Sequence, residues 1–355
     1  MILSKNASKE ALPQSIKHPL IDNSSLFLCH EIRTPLTAIQ GALRLLHQHH
    51  LDTRSSQGQR VLKIAIDNVS RLIRLANALE ESPNVPATIF SDSLVEQLQI
   101  ENDLHSAIAR REIYVAYQPI FSSEQNTILG FEALARWQHP QRGNVPPELF
   151  IGLAEKTGYI HELGLCVMEQ ACHQLYRWQQ KFPSLQPLTI SVNISTMQLL
   201  EANLVQSVRE ILARTGVLPN TLKLEITESA LIENKDVASS SLISLRSLGI
   251  EFYVDDFGTG YSSLGRLKEF PIDVLKIDRS FVMSKQWDIS EMIVWLAEKL
   301  GLSVIAEGVE TADDVAALES VGCRMMQGHF FASALDIQSA TALLEQSYRC
   351  HFTSS

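Results

Sequence analysis

EFYVDDFG, residues 251–258, is a β-branched and aromatic run that stops on two adjacent aspartates and a glycine. Such a run, closed by turn-forming residues, reads as a buried strand. Seven others share the design: YVAYQPIF (114–121), ILGFEALARW (128–137), LTISVNIS (188–195), LKLEITES (222–229), VLKIDRSF (274–281), SVIAEGVE (303–310) and MMQGHFF (325–331). From the third onward, helical segments such as LVQSVREILARTG (204–216), ASSSLISLRSLG (238–249), SEMIVWLAEKLG (290–301) and DDVAALESVG (313–322) separate them, each closing on glycine. Alternating strands and helices, eight strands long and without a GxGxxG turn, predict an α/β fold of the (β/α)8 barrel type rather than an open doubly wound sheet.

Each apolar run ends in or carries a polar residue: Gln118, Glu132, Asn193, Glu225, Asp255 with Asp256, Lys276, Glu307 and Gln327. Singly, an acidic residue at a strand end is ordinarily a solvated loop residue or a helix cap. Together they converge, because the C-terminal strand ends of a barrel meet at one mouth. Glu132, Asn193, Glu225, Asp255 and Asp256 supply the oxygen atoms that hard divalent cations prefer, with His and Cys scarce among them, so the expected metal is Mg²⁺ or Mn²⁺. Converging carboxylates repel unless a cation neutralises them, and two ions bridged by the adjacent aspartates would suit phosphodiester hydrolysis. Lys276 is read as the group that orients water or meets developing phosphate charge, the structural alternative being a salt bridge to the acids. The following FGTGYSSL has glycines at 258 and 260 that permit a tight, movable loop, a weak signal by itself.

The rest of the 355 residues sets the context. A formal charge of −10 opposes binding to nucleic acid or to anionic lipid. Five scattered cysteines without zinc spacing read as reduced thiols of a cytoplasmic protein. No stretch approaches the roughly 18 apolar residues of a membrane helix, and the N-terminus lacks an apolar leader segment. Residues 1–23 read as a flexible lead-in. In 24–81, Ile32, Leu36, Ile39, Leu43 and Leu46, then Leu62, Ile66, Val69, Ile73 and Ala76, fall at alternating steps of four and three, the seam of a helical hairpin. Two helices bury little alone, so pairing with a second copy is expected. Residues 82–91 form a linker, 92–345 the large domain and 346–355 a tail.

YQPI, GFEALARW, LAEKTG, SVNIS, LEITES, DDFGTGYSSL, LKID, AEGVET and QG, in this order, resemble the EAL domain, a family named for the triplet Glu132-Ala133-Leu134. The resemblance spans about 92–345 and implies a dimeric barrel with one antiparallel strand that hydrolyses cyclic di-GMP to linear pGpG. It implies Glu132, Asn193, Glu225 and Asp255 as ligands of a first metal, Asp255 and Asp256 serving a second, and Lys276 holding the catalytic water. Glu307 resembles the acidic residue of metal binding or general-base work. Gln118, Leu134 and Arg136 resemble substrate contacts, Glu310 and Gln327 line the site, and Glu228 resembles the glutamate that anchors the DDFGTG loop. Met197, Arg324 and Ala334 stand where the family more often has Arg, Asp and Pro, which touches the outer pocket and leaves the acidic set complete.

FLCHEIRTPLTAIQGALRLL (27–46) resembles the phospho-accepting box of histidine-kinase dimerisation domains, with His30 at the phospho-acceptor, Glu31 and Thr34 in its HExxT pattern, and Pro35 bending the helix. Neither ATP-binding boxes nor a GGDEF-like synthesis motif follow, so the hairpin is expected to dimerise the chain or to receive phosphoryl groups from a separate histidine kinase or response regulator. A non-catalytic cyclic di-GMP receptor and a phosphotransfer adaptor are the alternatives to an enzyme.

Overall fold

The computed structural model describes residues 23–48, 55, 58–59, 61–66, 68–69, 72, 92–183, 188–228, 235–259, 267 and 269–353. The chain divides into two compact units, Met1–Gln99 and Ile100–Ser355. In the first, helix α1 (Asn23–Gln48) carries Pro35 inside it, and residues 58–59, 61–66, 68–69 and 72 are helical. Within this single chain the expected seam is largely uncovered: Leu36 is 49%, Leu43 53%, Ile66 55% and Val69 43% exposed. Ile73, Ala76, the lead-in and the 82–91 linker lie outside the described residues. None of the described helices is long and apolar enough to cross a membrane.

Helix α2 (Asp92–Ala107) leads into the barrel strands β1 (Ile113–Ser122) and β2 (Thr127–His139), with a short β3 (Gly143–Val145) folded back on β2. Then come α3 (Pro147–Thr157), α4 (Ile160–Lys181), β4 (Thr189–Asn193), α5 (Thr196–Leu199), α6 (Leu204–Thr215), β5 (Leu222–Thr227) and α7 (Lys235–Ser247). The second half holds β6 (Glu251–Phe257), β7 (Val274–Ile277), α8 (Arg279–Met283), α9 (Trp287–Leu300), β8 (Ser303–Ala306), α10 (Ala312–Ser320), β9 (Met325–Met326) and α11 (Ile337–Thr353). All eight strand-like runs are strands. Gly216 and Gly301, at φ 76° and 70°, end α6 and α9 in the left-handed conformation that glycine adopts without steric cost. Residues 346–353 of the expected tail continue α11, which runs to Thr353.

β2, β4, β5, β6, β7, β8 and β9 are parallel neighbours, and β1 closes the barrel antiparallel to both β2 and β9. This revises the convergence argument for one strand. The C-terminal end of β1 points to the opposite rim, and Gln118 reaches the mouth from mid-strand because it is in register with Glu132. β2 also runs on past Glu132, so Leu134 and Arg136 share its face at successive steps of two. The upper part of β2 is pinned by Trp137, whose Nε1 donates to Glu112 Oε2 (3.0 Å), and by His139. His139 Nδ1 accepts the backbone N–H groups of Gln141 and Arg142, which leaves Nε2 to donate to Asp103 (3.1 Å).

Two apolar layers hold the barrel. The larger fills the space between strands and helices, with Phe131, Trp137, Trp178 and Phe252 among its fully buried side chains. The smaller lies inside the barrel: Ile120, Tyr253, Val274, Ile305 and, half-buried, Met325. Each stands two residues from Gln118, Asp255, Lys276, Glu307 or Gln327 on its own strand, so strand alternation sets a polar layer directly on an apolar floor.

Candidate active site

Lys276 is fully buried at the centre of that polar layer. Its Nζ lies 2.5 Å from Glu225 Oε2, 2.6 Å from Glu307 Oε1, 2.9 Å from Asp255 Oδ1 and 3.5 Å from Glu132 Oε2. An ammonium has three protons, so four carboxylates cannot all be served. Glu225 Oε1 is buried without a partner, and Asp255 Oδ1, equally buried, has only its ion pair with Lys276. Asn193 Nδ2 donates to Glu132 Oε1 (2.7 Å), and Gln327 Nε2 donates to Glu132 Oε2 (2.7 Å) and Gln118 Oε1 (3.1 Å). Six strands and the segment just beyond β8 and β9 thus deliver side chains to one connected cluster.

Burial, then the Glu132 charge, pushes Glu225 well above the usual carboxylate range, against the pull of Lys276. Burial raises Glu307 to about 7, Lys276 opposing it and Asp255 and Glu132 adding to it. Burial would lower Lys276, but Glu132, Glu225, Glu307 and Asp255 outweigh it and hold the ammonium well above its ordinary value. The cluster is short of positive charge.

Asp255 and Asp256 would point to opposite faces of a regular strand. β6 is not regular there: Val254 pairs with Leu275 but Phe257, not Asp256, with Ile277, which inserts one extra residue. Asp256 takes φ 53° in this bulge. Oxygens of Asp255, Asp256 and Glu307 consequently come within 4.8 Å of one another. Asp256 is raised to about 6 by burial, by Asp255 and by a hydrogen bond with Asp278. The unpaired acceptors, the converging oxygens and the purely hard donor set fit a divalent cation.

The other predicted positions are distributed around this cluster. Glu228, buried, accepts the Gly258 N–H with Oε2 (3.1 Å), while Oε1 has no partner. Leu134 and Arg136 are half-buried on β2, with Arg136 Nη1 on Ala135 O. Glu310 is not brought into the acid cluster: it is exposed, with Oε1 4.0 Å from His329 Nδ1, because its backbone N–H enters the Thr311–Asp314 cap of α10. His30 lies in α1, and its side chain, with that of Glu31, falls outside the described residues. Residues 260–266 of the glycine-rich loop do so as well. Asp278 went unassigned in the sequence. It accepts from Ser280 N (2.9 Å) while contacting Asp256, and its place two residues after Lys276 in LKID is the signal that would have found it.

Residues 101–334 match the family model of the EAL domain, and residues 27–82 that of the His Kinase A (phospho-acceptor) domain. The chain is 38% identical over 274 residues to cyclic di-GMP phosphodiesterase NbdA of Pseudomonas aeruginosa, covering 75% of this chain and 34% of that protein. It is 39% identical over 252 residues to the bifunctional diguanylate cyclase/cyclic di-GMP phosphodiesterase MucR of the same organism, covering 70% and 36%. The chain therefore spans about a third of the length of these relatives. Among solved structures, the PaMucR phosphodiesterase in complex with c-di-GMP superposes with a TM-score of 0.65 at 38% identity, over 68% of this chain and 99% of that one. The EAL enzyme Bd1971 with cAMP and cyclic-di-GMP bound gives 0.68 at 30% identity, over 82% and 77%.

Proposed function

Since the chain belongs to the EAL-domain family, we propose that it is a metal-dependent phosphodiesterase that hydrolyses cyclic di-GMP to linear pGpG in bacterial second-messenger signalling. The observation that carries this reading is the buried acid cluster on Lys276, which has more acceptors than its one ammonium can satisfy. Similarity to proteins named for this activity supports the same substrate.

In this reading Glu132, Asn193, Glu225 and Asp255 would hold one Mg²⁺ or Mn²⁺ ion, and Asp255 with Asp256 would hold a second. When bound, such ions supply Lewis acidity toward phosphate and water. Lys276 orients the attacking water and balances the charge of the pentavalent phosphorus. Glu307, beside Lys276 and the aspartates, takes the water proton as the new P–O bond forms. The bond from phosphorus to the 3′-oxygen breaks, that oxygen takes a proton from solvent water, and pGpG keeps the phosphate at its 5′ end. Gln118, Leu134 and Arg136 seat the dinucleotide at the mouth, with Gln327 holding Gln118, and Glu228 fixes the loop that begins at Gly258. The apolar floor keeps water from entering below.

Turnover with product analysis tests this: Mg²⁺ or Mn²⁺ should support pGpG formation, and Glu132→Ala or Asp255→Ala should reduce it by at least about 10³-fold. Fully metallated wild type that binds cyclic di-GMP without forming pGpG would make the protein a receptor instead.

The N-terminal unit we read as a regulatory module of a cytoplasmic homodimer, its uncovered seam supporting association of two copies. His30 is the expected phospho-acceptor for a partner histidine kinase or response regulator. Labelled phosphate should appear on wild type and not on His30→Ala when that partner is supplied; label retained on His30→Ala would exclude this residue.

A further inference from the structure

A barrel of this type fills its interior with layers of four side chains, each layer drawn from alternate strands. Glu132, Glu225, Lys276 and Gln327 come from β2, β5, β7 and β9, which alternate around the sheet, and hydrogen bonds join them into one such layer. The layer beneath comes from the strands between: Ile120 of β1, Tyr253 of β6, Ile305 of β8 and, on β4, Ser191. Ser191 points inward because its neighbours Ile190 and Val192 belong to the apolar layer under the helices.

Ser191 is 1% exposed, and among the described residues its Oγ has no hydrogen-bond partner. It stands beside Glu132 in register and diagonally below Glu225, since Ser191 pairs with Lys223 and Asn193 with Glu225. Both Glu132 oxygens are taken, Oε1 by Asn193 and Oε2 by Gln327. Glu225 differs: Oε2 accepts from Lys276 at 2.5 Å, while Oε1 is buried without a partner among the described residues. A hydroxyl with a proton to give and a carboxylate oxygen with none to receive thus lie on adjacent strands and face the same interior. Buried polar atoms are nearly always satisfied, and where two are too far apart to meet an ordered water joins them. Diagonal neighbours on adjacent strands stand roughly 7–8 Å apart, more than a serine side chain closes alone. Serine is also the smallest member of its layer, beside two isoleucines and a tyrosine.

We propose that Ser191 is a positioning residue for Glu225: its hydroxyl donates to one buried water, and that water donates to Glu225 Oε1. Lys276 alone holds one oxygen and leaves the carboxylate free to turn about that contact. The water holds the other oxygen and so sets the plane that the carboxylate presents to the mouth. It occupies one lone pair of Oε1 and leaves the second for a cation. Metal affinity therefore depends on a serine that touches neither cation nor substrate. That consequence rests on the reading of Glu225 as a metal ligand, whereas the link from Ser191 to Glu225 does not.

Two measurements on the full chain test the link and its consequence separately. In EDTA, Ser191→Ala should lower the melting temperature by about 2–4 °C, whereas deleting a hydroxyl that has no partner would raise it. In a Glu225→Leu background, where the water has no carboxylate to serve, Ser191→Ala should no longer lower it. Mn²⁺ binding to the substrate-free protein, followed by electron paramagnetic resonance, should weaken about tenfold in Ser191→Ala, and KM for cyclic di-GMP at saturating Mn²⁺ should stay the same. Neither the first shift nor the Mn²⁺ affinity requires Glu225→Leu to fold. A melting temperature that Ser191→Ala raises or leaves unchanged, or lowers equally in both backgrounds, would overturn the link. Unchanged Mn²⁺ affinity in Ser191→Ala would overturn the positioning role. Wild type that binds no Mn²⁺ would overturn the metal-ligand reading of Glu225 and the role built on it, and the melting comparison would still decide the link.

Discussion

Asp256 occupies the left-handed region at φ 53°, which costs a non-glycine residue roughly 1–2 kcal/mol, less for aspartate. It also adds a raised carboxyl to a cluster already short of cations. Asp256→Gly should relieve both costs. We expect it to stabilise the metal-free protein by up to about 1 kcal/mol and to remove phosphodiesterase activity, read by denaturant unfolding in EDTA and by pGpG formation. A loss of stability would show that Asp256 is held by favourable contacts instead. Lys276 has the opposite sign. Lys276→Met leaves buried carboxylates uncompensated, so metal-free stability near pH 8 should fall by about 3 kcal/mol and Mg²⁺ should recover part of it. Equal melting of variant and wild type in EDTA would mean that the acids protonate at no cost.

At the scale of elements, the loop between β8 and α10 ties structure to the site. Thr311 caps α10 in a reciprocal box with Asp314, and Asp314 also accepts the Glu310 N–H, four residues from Glu307. Thr311→Ala should cost about 1 kcal/mol in unfolding free energy and lower kcat more than it raises KM, because it loosens Glu307 rather than the substrate seat. A change in KM alone would place the effect elsewhere.

The elements were largely legible because each strand is a short apolar run closed by turn residues, and Gly216 and Gly301 mark helix ends by their conformational freedom. What the sequence does not carry is pairing. Reversal of β1 depends on the Gln118–Glu132 register, and the bulge at Asp255 and Asp256 depends on which residues β7 offers opposite them. Both aspartates were assigned to the mouth from the sequence, but only the extra residue in β6 explains how neighbours in a strand can face the same way. Glu310 shows the converse, since a motif places it near Glu307 while the cap turns it outward. Asp278 was hidden as an ordinary polar residue at a helix start.

For the molecule as a whole, the charge deficit makes stability depend on pH and on cations together. Glu307 and Asp256 are raised to about 7 and about 6 from ordinary values of 4.5 and 3.8. Groups raised in the fold bind protons more tightly there than in the unfolded chain, so their contribution is full below the ordinary values and is lost as pH rises through 6 and 7. In EDTA the melting temperature should therefore fall between about pH 5 and 8, and saturating Mg²⁺ should remove that fall, because cations compete with protons for the same oxygens. A melting temperature in EDTA that rises over this interval would contradict the assignment.

The connection between Gln327 and Glu132 spans 195 residues of sequence. β1 and β2 form a hairpin that can pair as soon as both are made, whereas β1 meets β9 only through Phe121 and Ser122. Closure of the barrel is thus a late event in biosynthesis. Until residue 327 clears the ribosome, Glu132 has the amide of Asn193 but not that of Gln327, and the second edge of β1 has neither β9 nor the later Leu335 beside it. The nascent chain carries an acid-lined, half-closed barrel until residue 327 has been made, and the cluster is complete only when that last barrel strand arrives.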